Sequence, residues 1–463
     1  MAAATLLRTS DLFAAAPPRA RRGTYFVQTW GCQMNVEDSE QIGLYLQGIG
    51  FEPADSLADA QVVLLNTCSV RKKPEDKAFS LLGELALIKP SRPDRVIGVC
   101  GCMAQLRHDE IRKRAPFVDF VVGTAQISSI PGLVEEAIQS RKFRSRMALP
   151  ERKGSVVTDI PLRHVDRTTK LKAFVPIQYG CDKFCTFCIV PTTRGRERSR
   201  PTEDIVQEVR RLAELGTKEV TLLGQTVNSY GKNLAEGRVP FSRLLRLLGG
   251  IPGLERIRYT SPYPRDFKDD LIETIRDCPQ VMEHCHMPLQ SGDNEVLKSM
   301  KRLYTIESYS EIVSKLRAAV PGIGLTTDII VGFPGETDEQ FERTLQAVRD
   351  IRFDGAYMFI YSPRPGTPSA EMEQVPLPVR KDRMVRLQRV QEAITCEINN
   401  SCVGRTFEVL VEGPSPKNPS MLKGYSREFR MVHFEGRSEL KGSLVHVVAT
   451  KGYLWGIAGK LVG

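Results

Sequence analysis

The chain has 463 residues, 41% hydrophobic and 26% charged; that length suits several domains, and no apolar run approaches the roughly 18 residues a membrane span needs. Its eleven cysteines come without a secretory signal, and an odd number in a reducing compartment argues against a disulfide scaffold, so cysteine as a metal ligand in a cytoplasmic protein is the expectation. The formal charge of +10 is concentrated, with ten basic and three acidic side chains in 141–172 and nine and five in 401–463, a pattern that suits a polyanionic partner such as nucleic acid, or a plainly solvated surface.

Residues 1–23 are rich in alanine and arginine but have no apolar stretch followed by a small-residue cleavage site; an unordered leader is expected, an organellar presequence being the lesser reading. From 24 to 140, β-rich runs (Tyr25-Phe26-Val27, Gln61 to Leu65, Arg95 to Val99, Asp119 to Val122) alternate with apolar residues at helical spacing (Ile42, Tyr45, Leu46, Ile49, then Ala78, Leu81, Leu82, Leu85), which predicts a small parallel α/β domain. The basic stretch 141–172 reads as a linker. Between 173 and 400 a second alternation predicts six strands, near Ala173 to Gln178, Glu219 to Leu223, Arg256 to Thr260, Met282 to Pro288, Leu325 to Val331 and Ala356 to Tyr361, hence a partial (β/α)6 barrel. A helical stretch from about Val379 to Asn400 closes this part. Short β segments punctuated by glycine and proline over 401–463 predict a small antiparallel β-barrel.

Cys181, Cys185 and Cys188 share one loop just after the first strand of the second alternation, where ligands collect in parallel α/β folds. Three thiolates on one loop can hold three irons of a four-iron cluster and leave the fourth open, whereas a closed zinc site or a four-cysteine electron carrier needs a further ligand nearby. Coincidental cysteines or an incomplete zinc knuckle is the alternative. Three more, Cys32, Cys68 and Cys102, each follow a predicted strand of the N-terminal domain and so would converge at the carboxyl edge of one sheet; otherwise they are buried apolar residues. Cys100 falls at the end of its strand and is assigned to packing, as are Cys278, Cys285, Cys396 and Cys402, which show no ligand spacing.

The string Gly180-Cys181-Asp182-Lys183-Phe184-Cys185-Thr186-Phe187-Cys188-Ile189-Val190-Pro191, continued by Thr193 to Pro201, resembles the methylthiotransferase branch of the radical S-adenosylmethionine superfamily. The likeness runs from residue 24 to the end. The strings Cys32-Gln33-Met34-Asn35, Asn66-Thr67-Cys68-Ser69-Val70 and Gly101-Cys102-Met103-Ala104-Gln105 are similar to the auxiliary-cluster motifs of the bacterial enzymes that act on N6-isopentenyladenosine at position 37 of tRNA. Thr226 departs from the asparagine expected after Gly-Gln, and Lys72 and Pro74 alter the run after Val70. The resemblance implies two [4Fe-4S] clusters, on Cys181, Cys185, Cys188 and on Cys32, Cys68, Cys102. It further implies S-adenosylmethionine cleaved by one electron to a 5′-deoxyadenosyl radical, and methylthio transfer to C2 of the adenine, a C–H too weakly acidic for a side-chain base. A methylthiotransferase for a ribosomal-protein aspartate and a noncatalytic cluster-bearing RNA-binding or electron-transfer protein are the rival readings.

Gln225, Ser261 and Gln290, in loops after three of the six strands, are the candidate S-adenosylmethionine contacts. Arg194, Arg196, Arg198 and Arg200 either form a solvated turn or, with an RNA substrate, hold its phosphates beside the radical loop. The terminal segment resembles the family's RNA-binding TRAM barrel. Expected partners are the tRNA anticodon loop, an external one-electron donor and sulfur-supplying or cluster-assembly proteins, with no membrane and a monomer.

Overall fold

The computed structural model describes residues 21–69, 72–150, 163 and 170–462. Most of the leader expected over 1–23, and most of the basic linker beyond Pro150, lie outside the described residues.

The N-terminal sheet has six parallel strands in the order β2-β1-β3-β4-β5-β6: β1 (Gly23–Thr29), β2 (Phe51–Pro53), β3 (Val62–Thr67), β4 (Val96–Gly101), β5 (Phe120–Val122) and β6 (Arg144–Arg146). A strand places successive side chains on opposite faces, and β3 does so: Val62 and Leu64 enter one core with Ile42 and Leu46, Val63 and Leu65 the other with Leu82 and Leu85. Both faces are therefore covered, by α1 (Gln33–Gly48) and α4 (Ile130–Ser140) on one side and by α2 (Lys72–Ile88) and α3 (Cys102–Arg114) on the other. That is why β3 and β4 read as continuous apolar runs. Arg144–Arg146, expected as linker, instead extends the sheet by pairing parallel to β5.

The central core holds six parallel strands. β7 (Lys172–Pro176), β10 (Glu219–Leu223) and β11 (Arg256–Tyr259) form one three-stranded sheet, and β12 (His284–His286), β13 (Gly324–Val331) and β14 (Gly355–Ile360) another. A bridge from Ile257 to Val281 joins the two in chain order, giving the partial barrel. Helices α6 (Thr202–Glu214), α7 (Phe241–Gly249), α8 (Asp269–Asp277), α9 (Asn294–Ser299), α10 (Ile306–Ala319) and α11 (Asp338–Ile351) separate the strands. The stripe Ile205, Val209, Leu212 of α6 is buried against this sheet's core, and Gly216 follows its end with φ +96°, a conformation that favours glycine. The strand expected from Ala173 to Gln178 breaks after Pro176; its last residue starts β8 (Gln178–Tyr179), which pairs antiparallel with β9 (Arg198–Ser199). This two-residue ladder ties together both ends of the segment that carries Cys181, Cys185, Cys188 and the short α5 (Val190–Arg194).

After α12 (Leu377–Ser401) the chain closes a small barrel from β15 (Thr406–Ser415), β16 (Asn418–Ser426), β17 (Met431–Glu435), β18 (Leu444–Tyr453) and β19 (Gly456–Leu461), in the order β15-β16-β17-β19-β18. Its pairs are antiparallel except β17 with β19, which is parallel because β18 crosses between them. Among the described residues no helix is long and apolar enough to cross a membrane.

Candidate active site

Cys32, Cys68 and Cys102 follow the carboxyl ends of β1, β3 and β4, which are neighbours in the sheet, and a side-chain lattice draws their loops together. Asn35 Nδ2 donates to Asn66 Oδ1 and to the Thr67 carbonyl, both at 3.1 Å, and Asn66 Nδ2 returns a bond to the Asn35 carbonyl at 2.8 Å. Gly31 packs so closely on Cys68 that an added Cβ would lie 2.9 Å from the Cys68 Cβ. Cys102 lies near enough to Cys32 to feel its charge; burial pushes the Cys102 thiol up, and the Arg194 guanidinium beside it pulls the other way. Cys32 is exposed while Cys68 and Cys102 are buried, so the group opens outward at one corner. Cys100 sits in β4 with its side chain in the apolar core, and Cys278, Cys285 and Cys402 are likewise in cores.

Cys181, Cys185 and Cys188 lie in the loop closed by the β8–β9 ladder. The Cys181 amide donates to the Gly195 carbonyl at 3.1 Å and the Cys188 amide to the Cys185 carbonyl at 3.0 Å. Burial, with the neighbouring Cys185 thiol adding to it, pushes Cys181 up to about 11 and Cys188 up to about 12. Such groups are thiols at neutral pH unless a metal holds them as thiolates, which is the donor chemistry an iron cluster supplies with partners. Among the described residues no three His, Cys, Asp or Glu side chains gather as a ligand set for a single metal ion; a four-iron cluster places each thiolate on a separate iron, so its ligands stand apart.

Gln225, Ser261 and Gln290 stand at the carboxyl ends of β10, β11 and β12. Ser261 (φ +56°) and Gln290 (φ +73°) both hold left-handed backbone, strain of about 1–3 kcal/mol that recurs at ligand-binding sites. The Gln290 amide donates to the Asp328 carbonyl at 2.8 Å and its carbonyl accepts from Ile330 at 2.9 Å, so backbone pairing to β13 holds that conformation.

Three of the four arginines read as a solvated turn or as phosphate contacts are turned inward. Arg194 pairs with Asp38 at 2.9 Å and Arg200 with Glu208 at 2.7 Å, all four buried, and Arg198 is buried over the Tyr179 ring. Only Arg196 is exposed; it pairs with Asp182 at 2.6 Å and lies over the ring of Phe184. Their alternation resembles a basic surface strip, but β9 and the domain seam bury it.

Sequence reasoning missed Arg302 and Glu197. Arg302 Nη1 lies 3.5 Å from Cys185 Sγ and its Nη2 donates to the Pro288 carbonyl at 3.2 Å. Glu197 is buried near Cys181, accepts from the Thr226 hydroxyl at 3.2 Å, and burial raises its carboxyl to about 7. No local spacing marks Arg302, whose partner is 117 residues away; Glu197 could have been suspected from lying at the end of the cysteine segment.

The two cysteine groups share a seam. Thr193 and Arg194 lie against the N-terminal domain, where the Thr193 carbonyl accepts from Thr124 Oγ1 at 2.5 Å, while Arg196 and Glu197 border the radical loop. Residues 24–123 match the description "Uncharacterized protein family UPF0004" and residues 175–348 the "Radical SAM superfamily". The tRNA-2-methylthio-N(6)-dimethylallyladenosine synthase of Bacillus licheniformis is 47% identical over 442 residues, covering 95% of this chain and 86% of that one. The equivalent synthase of Moorella thermoacetica is 46% identical over 444 residues, covering 95% and 99%. The chain belongs to this synthase family. It is therefore an enzyme of the radical S-adenosylmethionine superfamily, whose members use a [4Fe-4S] cluster and S-adenosylmethionine. Among solved structures, the radical S-adenosylmethionine methyltransferase TsrM of Kitasatospora setae aligns with TM-score 0.54 at 15% identity, covering 86% of this chain and 78% of that one, a likeness of fold.

Proposed function

We propose that this chain transfers a methylthio group to C2 of N6-isopentenyladenosine at position 37 of tRNA, in the cytoplasm. Cys181, Cys185 and Cys188 hold the cluster that binds S-adenosylmethionine, and Cys32, Cys68 and Cys102 hold a second. The observation that carries the reading is the short path between the two groups: Arg194 meets the Asn35 oxygen that Cys32 also meets, and three residues on Glu197 borders Cys181. When bound, the first cluster supplies the electron for cleaving S-adenosylmethionine and the second holds sulfur.

The protein's own part is positioning. Gln225, Ser261 and Gln290 line the mouth at the strand ends and take polar groups of S-adenosylmethionine. Phe184, 49% exposed with Arg196 over its ring, presents an aromatic face on the cysteine loop itself, which suits an unstacked base. The terminal barrel is read as a TRAM domain that holds the RNA: Trp455, 80% exposed, and Tyr453 with Lys451 over its ring occupy the β18–β19 turn, the combination of stacking surface and cation that nucleic acid uses. An external electron donor and a source of sulfur complete the partners.

Anaerobic reaction of the reconstituted enzyme with isopentenylated tRNA, followed by mass analysis of the nucleosides, should yield the methylthio product. Iron should be about eight per chain and fall to about half when Cys181, Cys185 and Cys188 are replaced by alanine. Full iron retention in that variant, or S-adenosylmethionine cleavage with no methylthio product, would reject the reading.

A further inference from the structure

Arg194 belongs to the radical core, at the end of α5, yet its guanidinium crosses into the N-terminal domain. It is 4% exposed. Its Nη2 lies 2.9 Å from Asp38 Oδ2 and 3.5 Å from Asn35 Oδ1, and that same Asn35 oxygen accepts from Cys32 Sγ at 3.4 Å. One side-chain oxygen therefore separates the cation from the Cys32 thiol. The charge of Arg194 also acts on the Cys102 thiol, so the arginine stands near two members of the cysteine trio.

Domain docking alone does not account for a charge at this spot. A buried ion pair adds little net stability over apolar residues of similar volume, and the seam already has another buried bridge, Arg163 between Glu37 and Glu208. What an apolar pair could not supply is a fixed positive charge at the edge of the cysteine site.

We propose that Arg194 is a positioning residue that raises the reduction potential of a cluster held by Cys32, Cys68 and Cys102, with Asp38 as the opposing charge. The proposal rests on reading that trio as cluster ligands. One-electron reduction adds a negative charge to the cluster, so a buried cation beside the thiolates stabilises the reduced form and a buried anion destabilises it; burial strengthens both effects. Because Arg194 comes from the radical core, the electronic state of the sulfur-bearing site depends on how that core is docked.

The test uses the full chain with Cys181, Cys185 and Cys188 replaced by alanine, so that only the N-terminal site can load. About four irons per chain after reconstitution establish the cluster; their absence overturns the cluster reading and the proposal with it. Redox titration with dithionite, followed by electron paramagnetic resonance, then gives the midpoint potential. Arg194→Gln should lower it, Asp38→Asn should raise it, and Arg194→Lys should stay near the parent. An unchanged potential in Arg194→Gln overturns the proposal. So does a shift of the same sign in Arg194→Gln and Asp38→Asn, which is what loosened packing and entering water would produce. If Arg194→Gln loads no iron, Asp38→Asn decides: an unchanged or lowered potential counts against the proposal.

Discussion

Gly101 has φ +92° and joins β4 to α3 immediately before Cys102. A Cβ there would strike the Thr67 carbonyl oxygen and the Asn66 side chain, the atoms that hold the neighbouring cysteine loop. Gly101→Ala combines a backbone strain with a clash and should destabilise the protein by more than about 1 kcal/mol. It should also displace Cys102, so iron held by the N-terminal trio, measured without the radical-loop cysteines, should fall together with the melting temperature. Unchanged iron and melting would remove the glycine from the site. At this scale the gathering of Cys32, Cys68 and Cys102 at one sheet edge was legible because each follows a strand in a short string with a recognisable neighbour set. Their second layer was not: Asn35 with Asn66, Arg194 with Asp38 and Arg302 with Cys185 are partners separated by 31, 156 and 117 positions, and a polar residue in a loop looks the same whether it faces water or a buried thiol. The arginine alternation from Arg194 to Arg200 misled for the same reason, since charge in sequence carries no sign of burial.

Elements were legible where one physical signal dominated. The double-sided burial of β3 and β4 produces uninterrupted apolar runs, and the stripe of α6 has helical period. Arg144–Arg146 carries no apolar residue, so β6 exists through backbone pairing to β5 and shows no pattern. The barrel's parallel pair β17 with β19 was equally hidden, because short turns between successive strands suggest antiparallel neighbours throughout. Helix starts were better marked. Thr337 caps α11 by accepting from the Gln340 amide at 3.3 Å, and Gln340 Oε1 accepts from the Thr337 amide at 2.9 Å, so both donors of the first turn are satisfied by a reciprocal box. Thr337→Ala removes one of these bonds and should cost about 1 kcal/mol. Calorimetry should show a lower melting temperature; an unshifted transition would mean that the cap is redundant with the adjoining Arg383 to Asp338 bridge at 2.7 Å.

For the whole molecule, the central question is how three units are held so that two cysteine groups and a terminal barrel keep a fixed arrangement. The N-terminal domain is held by buried bridges across the seam; the barrel is held by β11. Arg256, 0% exposed, donates to the Tyr425 carbonyl at 2.7 Å and to Glu408 Oε1 at 2.8 Å, and Arg258 donates to the Ser426 carbonyl at 2.7 Å. A strand of the radical core thus donates to barrel carbonyls, and the barrel's orientation is tied to the same strand whose end carries Ser261. Arg256→Met keeps the apolar stem but deprives the half-buried Tyr425 and Glu408 oxygens of this donor, a loss of about 1–2 kcal/mol. Arg427, 3.7 Å from Glu408, and the Arg430 to Asp354 pair remain, so the barrel should stay folded but release more readily. Limited trypsin digestion should therefore cut between α12 and β15 faster than in the parent, and tRNA binding should weaken while S-adenosylmethionine cleavage without RNA persists, because Arg256 opens β11 at its amino end whereas Ser261 follows its carboxyl end. Equal digestion rates and unchanged tRNA affinity would show that β11 merely borders the barrel and that α12, whose Asn399 donates to the Tyr453 carbonyl at 2.7 Å, holds it in place.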